Sequence, residues 1–329
     1  MRILAVVAAL IAHANVANVP AAADLGAQVR AARTPWVGYA VPAVDGYRVT
    51  CNRCSLGDEN MSFSRTDQDD IHPAAGNVGV FYRIENGAIT NVRVYSTDCA
   101  LEGSGTSITW IDNVAPRDSV ALLASLVGGE KLALSGVEGR LSNRAMSALA
   151  MHADSSAGDR LEQWARASSA SDEVRGKAVF WLAETRPERG LEAARFIVRD
   201  GNASRKVKDK AVFALSQIRT SAADDELIRV ARNDADSHIR GQAIFWLSQE
   251  AGRKAAGAIR DAIDNDEDSH VREKAVFAVS QLPNDESIPI LIDLMKNHRD
   301  PSVRKKAAFW LGQKHDPRAL DALEEILRR

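Results

Sequence analysis

The chain is 329 residues long, too long for one small domain, and with 45% hydrophobic and 26% charged residues its composition is that of a folded protein. Lys and Arg number 42 against 44 Asp and Glu, so there is no global field to steer the protein toward nucleic acid or an anionic bilayer. Both partner classes are set aside, and two structural units are expected.

The first residues read Met1-Arg2, then an apolar run from Ile3 to Ala12, then small residues ending in Ala21-Ala22-Ala23 before Asp24. This is the layout of a secretory signal peptide over 1–23, with cleavage after Ala23 and a secreted or periplasmic destination. The run is shorter than the roughly 20 residues of a spanning helix, and no later segment is apolar enough to span, so no stable membrane span is expected. Export gives meaning to Cys51, Cys54 and Cys99, because disulfides persist in oxidising compartments. A structural disulfide joining Cys99 to Cys51 or Cys54 is expected, with one thiol left over. Cys51-Asn52-Arg53-Cys54 also has the spacing of half a zinc site or of a redox pair, but the only local candidate for a further ligand is His72. No metal and no cofactor are expected.

Residues 24–135 read as a small α+β unit. Trp36-Val37-Gly38-Tyr39-Ala40-Val41-Pro42 is a dense aromatic patch expected to dock on a sheet. Large apolar and polar residues alternate from Gly79 to Tyr95 around Asn86-Gly87, which predicts a hairpin of strands Val78–Ile84 and Ala88–Tyr95, since both turn positions tolerate positive φ. A third strand is predicted over Thr106–Ile111, and an amphipathic helix over Arg117–Val127 with Leu122, Leu123 and Leu126 inward. Gly103-Ser104-Gly105 lacks the further glycines and the Lys-Ser/Thr of a phosphate loop and reads as a turn.

The rest, 136–329, aligns on itself. Val174-Arg175-Gly176-Lys177-Ala178-Val179-Phe180-Trp181-Leu182 returns as 207–215, 239–247, 271–279 and 303–311, with anchors 33, 32, 32 and 32 residues apart and a weaker copy at Leu141–Leu149. Six repeats at such a period signify stacked helix pairs, each burying its apolar face on its neighbours. Positions one, five, eight and nine of the string share one helix side, for instance Ile239, Ala243, Trp246 and Leu247. Second helices are predicted over 190–199, 225–232, 254–263, 287–295 and 319–327. Asp236, Asp268 and Asp300 stand three residues before an anchor, where each can cap the coming helix and pair with Arg240, Arg272 or Arg304.

Asp268-Ser269-His270-Val271-Arg272-Glu273-Lys274-Ala275-Val276-Phe277-Ala278-Val279 closely resembles the HEAT-like repeats of phycobilisome lyases, a resemblance that covers about 141–329. It implies a mainly α chain, a right-handed α-α superhelix, which usually serves as a protein-binding surface and only occasionally as an enzyme. With the 36–42 patch and Asp98-Cys99-Ala100-Leu101, the chain also resembles exported bacterial HEAT-repeat proteins of unassigned function. Deoxyhypusine hydroxylase, another HEAT-like protein, holds iron with His-Glu dipeptides, and this sequence has none. No chromophore-handling constellation and no Gly-x-Ser-x-Gly elbow are present either. His238 and His270 occupy equivalent positions one repeat apart and read as surface histidines.

Position seven is Phe in five repeats, Phe180, Phe213, Phe245, Phe277 and Phe309. Four residues later stand Glu184, Gln217, Gln249, Gln281 and Gln313, and three residues earlier Lys177, Lys210, Gln242, Lys274 and Lys306, all on one helix side. This Lys-Phe-Gln stripe is similar to the aromatic and Asn stripes of armadillo repeats. The Phe rings are expected to fill the seams between repeats, and Lys177, Lys210, Gln217, Gln249, Lys274, Gln281, Lys306 and Gln313 are the candidate binding residues for a protein or extended peptide. Position eight alternates Ala148, Trp181, Ala214, Trp246, Ala278 and Trp310, which reads as large-against-small core packing. The expected function is therefore a non-enzymatic, exported binding scaffold; the alternative is an enzyme or redox-active N-terminal unit presented by the solenoid.

Overall fold

The structure is a computed structural model that describes residues 22–48, 54–56, 64–65, 76–97, 101–102, 107–127, 136–250 and 252–328. The expected signal peptide, apart from its last two residues, lies outside the described residues, and so do Cys51, Cys99 and the side chain of Cys54, hence the expected disulfide.

Helix α1 (Ala22–Ala31) precedes eight strands: β1 (Trp36–Pro42), β2 (Tyr47–Arg48), β3 (Cys54–Ser55), β4 (Ser64–Arg65), β5 (Asn77–Glu85), β6 (Ala88–Ser96), β7 (Leu101–Glu102) and β8 (Ile108–Trp110). The principal sheet has the order β6-β5-β1-β8. The predicted hairpin is β5-β6, turning at Asn86 (φ 52°) and Gly87 (φ 74°), both left-handed as a two-residue turn of this kind requires. The aromatic patch is more than a lid on the sheet: as β1 it is an inner strand, antiparallel to β5 and parallel to β8. Its near-continuous apolar run follows from burial on both faces, since Trp36, Val37, Tyr39 and Val41 are all buried. The predicted third strand is shorter than expected, Ile108–Trp110. Helix α2 (Pro116–Leu126) covers the sheet with Leu122 and Leu123 buried, while Leu126 is only partly so.

Six helix pairs follow. The first helices are α3 (Gly136–Ala150), α5 (Asp172–Thr185), α7 (Arg205–Gln217), α9 (Ser237–Glu250), α11 (Ser269–Ser280) and α13 (Pro301–Gly312). The second helices are α4 (Ser155–Arg166), α6 (Pro187–Arg199), α8 (Ser221–Asn233), α10 (Gly252–Asn265), α12 (Asn284–Asn297) and α14 (Pro317–Leu327). Residues at positions one, five and nine fill the core, as in Val207, Ala211 and Leu215, each fully buried. Gly190 lets α6 approach α5 closely, for a Cβ there would meet the Ala183 backbone at 2.5 Å. From α5 to α13 successive first helices pack on one another more extensively than successive second helices do, so the first helices form the tighter, inner row. The sheet unit closes the start of the row: α2 packs on α3 and α4, β6 packs on α3, and Val44 N–H donates to the Met151 carbonyl (2.8 Å).

The linkers keep the expected capping but not the expected ion pairing. Asp236, Asp268 and Asp300 accept from the backbone N–H groups of His238, His270 and Ser302 at 2.9, 2.8 and 2.8 Å. Two of the three arginines, however, reach across to other linkers. Arg240 donates to the Asp234 carbonyl behind it (2.9 Å) and grips Asp266 in the following linker with two bonds of 2.8 and 2.9 Å. Arg272 likewise joins the Asp266 carbonyl (2.6 Å) to Asp300 (2.9 Å), and Arg304 donates to the His298 carbonyl (2.7 Å). A caps-own-helix carboxylate turns toward its own N-terminal amides, whereas the planar guanidinium suits two acceptors set apart. Arg240 and Arg272 thus each clamp two successive linkers together, whereas Arg304 holds only its own.

Candidate functional site

The inner row carries a continuous run of aromatic rings. Phe180 stacks on Phe213 with centroids 5.8 Å apart and planes within 7°, and Phe245 stacks on Phe277 at 6.4 Å and 2°. Trp246 touches Phe213 and Phe245, both at 4.9 Å, and Trp310 touches Phe277 and Phe309, both at 5.0 Å. With Trp181 against Phe180 at 5.2 Å, eight rings cross five repeats without a break. Phe180, Phe213, Phe245 and Phe277 fill seams between repeats, while Phe309 does not. The position-eight tryptophans are a correction to the core-packing expectation: Ala148, Ala214 and Ala278 are fully buried, but Trp181, Trp246 and Trp310 are only half-buried and lie in the ring ladder. An indole is too large for a slot shaped for a methyl group between close helices, so it swings outward onto the neighbouring Phe.

The lysines edge this ladder and lean on the preceding repeat. The stems of Lys210 and Lys274 lie over Gly176 and Gly241, where a Cβ would come within 2.7 Å of Lys210 Cγ and of Lys274 Cδ. Lys177 donates to Asn143, and Lys306 pairs with Glu273 at 3.2 Å. Burial pulls the Lys177 ammonium below its ordinary pKa. The glutamines are oriented by the residue before them: Gln217, Gln249 and Gln281 donate to Ser216, Ser248 and Ser280 at 3.0, 3.3 and 3.1 Å. Those hydroxyls donate in turn to the carbonyls of Phe213, Phe245 and Phe277 at 2.7, 2.6 and 2.6 Å. Each bond uses one of the amide's two hydrogens and neither of its acceptor lone pairs. Gln313 follows Gly312 where the other three glutamines follow Ser, and is exposed. The arrangement offers flat apolar surface with amides on one side and ammonium groups on the other.

A second constellation escaped the sequence reading. Ser119 Oγ lies 2.7 Å from His152 Nε2 and 2.7 Å from the Tyr39 hydroxyl, which is 2.7 Å from the Tyr82 hydroxyl. His152 Nδ1 lies 2.8 Å from the Ala148 carbonyl. A carbonyl only accepts, so Nδ1 carries the proton and Nε2 accepts from Ser119, fixing the order Tyr82 to Tyr39 to Ser119 to His152. All four side chains are fully buried, and a main-chain carbonyl fills the place a triad's carboxylate would take. The chain of bonds ties β1, β5 and α2 to the first repeat. Burial is the main cause that lowers the His152 pKa to about 4, and it drives the Tyr39 and Tyr82 phenols upward.

Of the equivalent histidines, His238 pairs with Asp209 at 3.0 Å. Among the described residues no group of three or more His, Cys, Asp or Glu is arranged to hold a metal, and no helix is long and apolar enough to cross a membrane. On the second-helix side a cleft of about 510 Å³ is lined by Arg166, Arg195, Phe196 and Arg199. Its guanidinium groups are engaged by Glu162, Glu192 and Glu226 at 2.9, 2.8 and 2.6 Å, which neutralises most of its charge.

The solved structures similar to this chain include the complex of CpcE and CpcF of phycocyanin lyase from Nostoc (18% identity, 52% of this chain and 70% of that chain, TM-score 0.34). Human deoxyhypusine hydroxylase is similar at 15% identity over 65% of this chain and 82% of that one, TM-score 0.33. The fission yeast condensin Cnd3-Cnd2 subcomplex is similar at 18% identity over 63% of this chain, TM-score 0.40, and this chain spans 31% of its length. No curated protein matches the sequence. The family model for HEAT repeats matches residues 158–248 and 256–329, together half of the chain. The chain belongs to the HEAT-repeat family.

Proposed function

We propose that this protein is an exported, non-enzymatic scaffold that binds a protein segment or extended peptide along the inner row of first helices. The observation that carries the reading is the unbroken ladder of eight rings, edged at the same repeat spacing by Lys177, Lys210, Lys274 and Lys306 and by Gln217, Gln249, Gln281 and Gln313. Helices in such a row stand roughly 8–10 Å apart. An extended chain advances about 3.3 Å per residue, so consecutive glutamines meet every third peptide group and the rings receive side chains between them. The apolar rings supply affinity through buried area, and the oriented amides fix register. The sealed Ser119-His152 pair argues against hydrolytic chemistry, because no substrate atom reaches it while the sheet unit stays docked.

The reading is tested by affinity capture from an envelope extract, using the mature chain beside a version carrying Lys210→Ala, Gln217→Ala, Lys274→Ala and Gln281→Ala. All four side chains lie outside the buried core, so the thermal midpoint should hold to within a few degrees. A partner kept by the native chain and lost by the folded variant is expected. Equal capture by both, or capture by neither, contradicts the groove.

A further inference from the structure

Along the inner row the Lys, Phe and Gln positions form three parallel lines. Lys stands three residues before the ring and Gln four residues after it on the same helix, so the outer lines lie about 10.5 Å apart, at about 1.5 Å per residue. Gln217, Gln249 and Gln281 each give one amide hydrogen to the preceding serine and keep the other for a further partner. On the lysine line, Lys177 is bound to Asn143 and Lys306 to Glu273, whereas among the described residues Lys210 and Lys274 make no ion pair or hydrogen bond. The carboxylates beside them are already held: Asp209 by His238 at 3.0 Å, Glu273 by Lys306 at 3.2 Å, and Glu173, which senses the Lys210 charge, by Lys206 at 2.9 Å. Two uncommitted ammonium groups therefore stand two repeats apart, with Gln242 at the equivalent position between them.

Resting on the inner-row peptide reading, we propose that the bound segment is a proline-rich left-handed helix carrying two carboxylates six residues apart, one for Lys210 and one for Lys274. Periodicity selects the conformation. The repeats stand roughly 8–10 Å apart, and a polyproline helix returns the same side to the row every three residues, or about 9.3 Å. A fully extended strand alternates its faces, so its third residue points away. An α-helix spends its amides and carbonyls on itself, which leaves the serine-oriented glutamines nothing to bind. The polyproline backbone has no internal hydrogen bonds, so one carbonyl per turn accepts the spare amide hydrogen of Gln217, Gln249 or Gln281. The compact pyrrolidine rings then rest on the half-buried Phe213, Phe245, Trp246 and Phe277. Charge selects the carboxylates: two repeats correspond to six residues, and the residue midway meets Gln242 and needs no charge.

Fluorescence anisotropy with labelled synthetic peptides and the purified chain tests it. The probe is a twelve-residue proline peptide with glutamate at its third and ninth positions. It should bind at least tenfold tighter than the same peptide with lysine at those positions, with its glutamates four residues apart, or with serine and glycine in place of proline, which must be ordered on binding. Lys210→Glu with Lys274→Glu should reverse the preference toward the lysine peptide; both side chains lie outside the core, and circular dichroism checks the fold. The peptide comparisons use the native chain and do not depend on that variant. Equal binding of the probe and any one of its three controls overturns the proposal, as does a folded variant that still prefers glutamate. Binding of no peptide overturns it too; a partner still captured from the extract by the native chain and lost by the quadruple variant would then leave the inner-row reading standing without this occupant.

Discussion

At the scale of single residues, the ring ladder separates two kinds of phenylalanine that the repeat string makes identical. Phe213 is held between Phe180 and Trp246, while Phe309 touches Trp310 and faces solvent. Each aromatic pair contributes about 0.5–1.5 kcal/mol beyond area burial. Phe213→Ala should therefore cost about 2–3 kcal/mol in urea unfolding and Phe309→Ala under about 1 kcal/mol; equal losses would contradict the ladder. His152 supplies a pH signature. Its folded pKa is about 4 against an ordinary 6.5, so below pH 6.5 the unfolded chain takes up a proton that the folded chain refuses. Stability from this group is whole above 6.5 and falls as the pH drops toward 4. Between pH 7 and 5 the loss should be about 2 kcal/mol, and His152→Gln should remove that part of the slope. The carboxylates whose pKa values are lowered, Asp154 among them, lose their contribution mainly below this window. The buried hydroxyl chain was not legible in the sequence, because Ser119 and His152 become neighbours only when the sheet unit docks on the first repeat.

Among the elements, what the repeat string encodes is the position of the first helices and of the second helices from α6 onward, and these are read correctly because core positions one, five and nine recur at a fixed step; α4 has no predicted counterpart, and the position-eight tryptophans leave the core. The β5-β6 hairpin is equally legible, since alternation and Asn-Gly are local signals. Strand β1 is not: a strand buried on both faces shows no alternation, and its partners β5 and β8 lie about 40 and 70 residues away in sequence. The arginine pairing was misassigned for a related reason, as the caps are local and the clamps join separate linkers. Arg240→Ala should cost about 3 kcal/mol or more in denaturant unfolding, because it strands the buried carboxylate of Asp266 and removes the tie to the Asp234 carbonyl. A loss below about 1 kcal/mol would reduce the clamp to a surface contact. The candidate lysines and glutamines share one face as their spacing requires, but the serine that orients each glutamine, and its absence before Gln313, emerge only from the side-chain geometry.

For the whole molecule, the sheet unit and the repeats divide the work. The first closes one end of the helical row and seals the buried hydroxyl chain; the second spreads a repeated surface along its inner side. The leader-like segment ending at Ala23 is tested by expression in a bacterial host, which should yield an extracytoplasmic chain that begins at Asp24 by intact mass. The claim on which the account depends is that the inner row, and not the outer one, meets the partner. It is tested by placing a photo-reactive phenylalanine at Gln217 or Gln281 on the first helices, or at Asn233 on a second helix, and irradiating the protein in an envelope extract. Crosslinks to one common partner from Gln217 and Gln281 and none from Asn233 are predicted. Crosslinks from Asn233 alone, or the same weak background from all three positions, would contradict it.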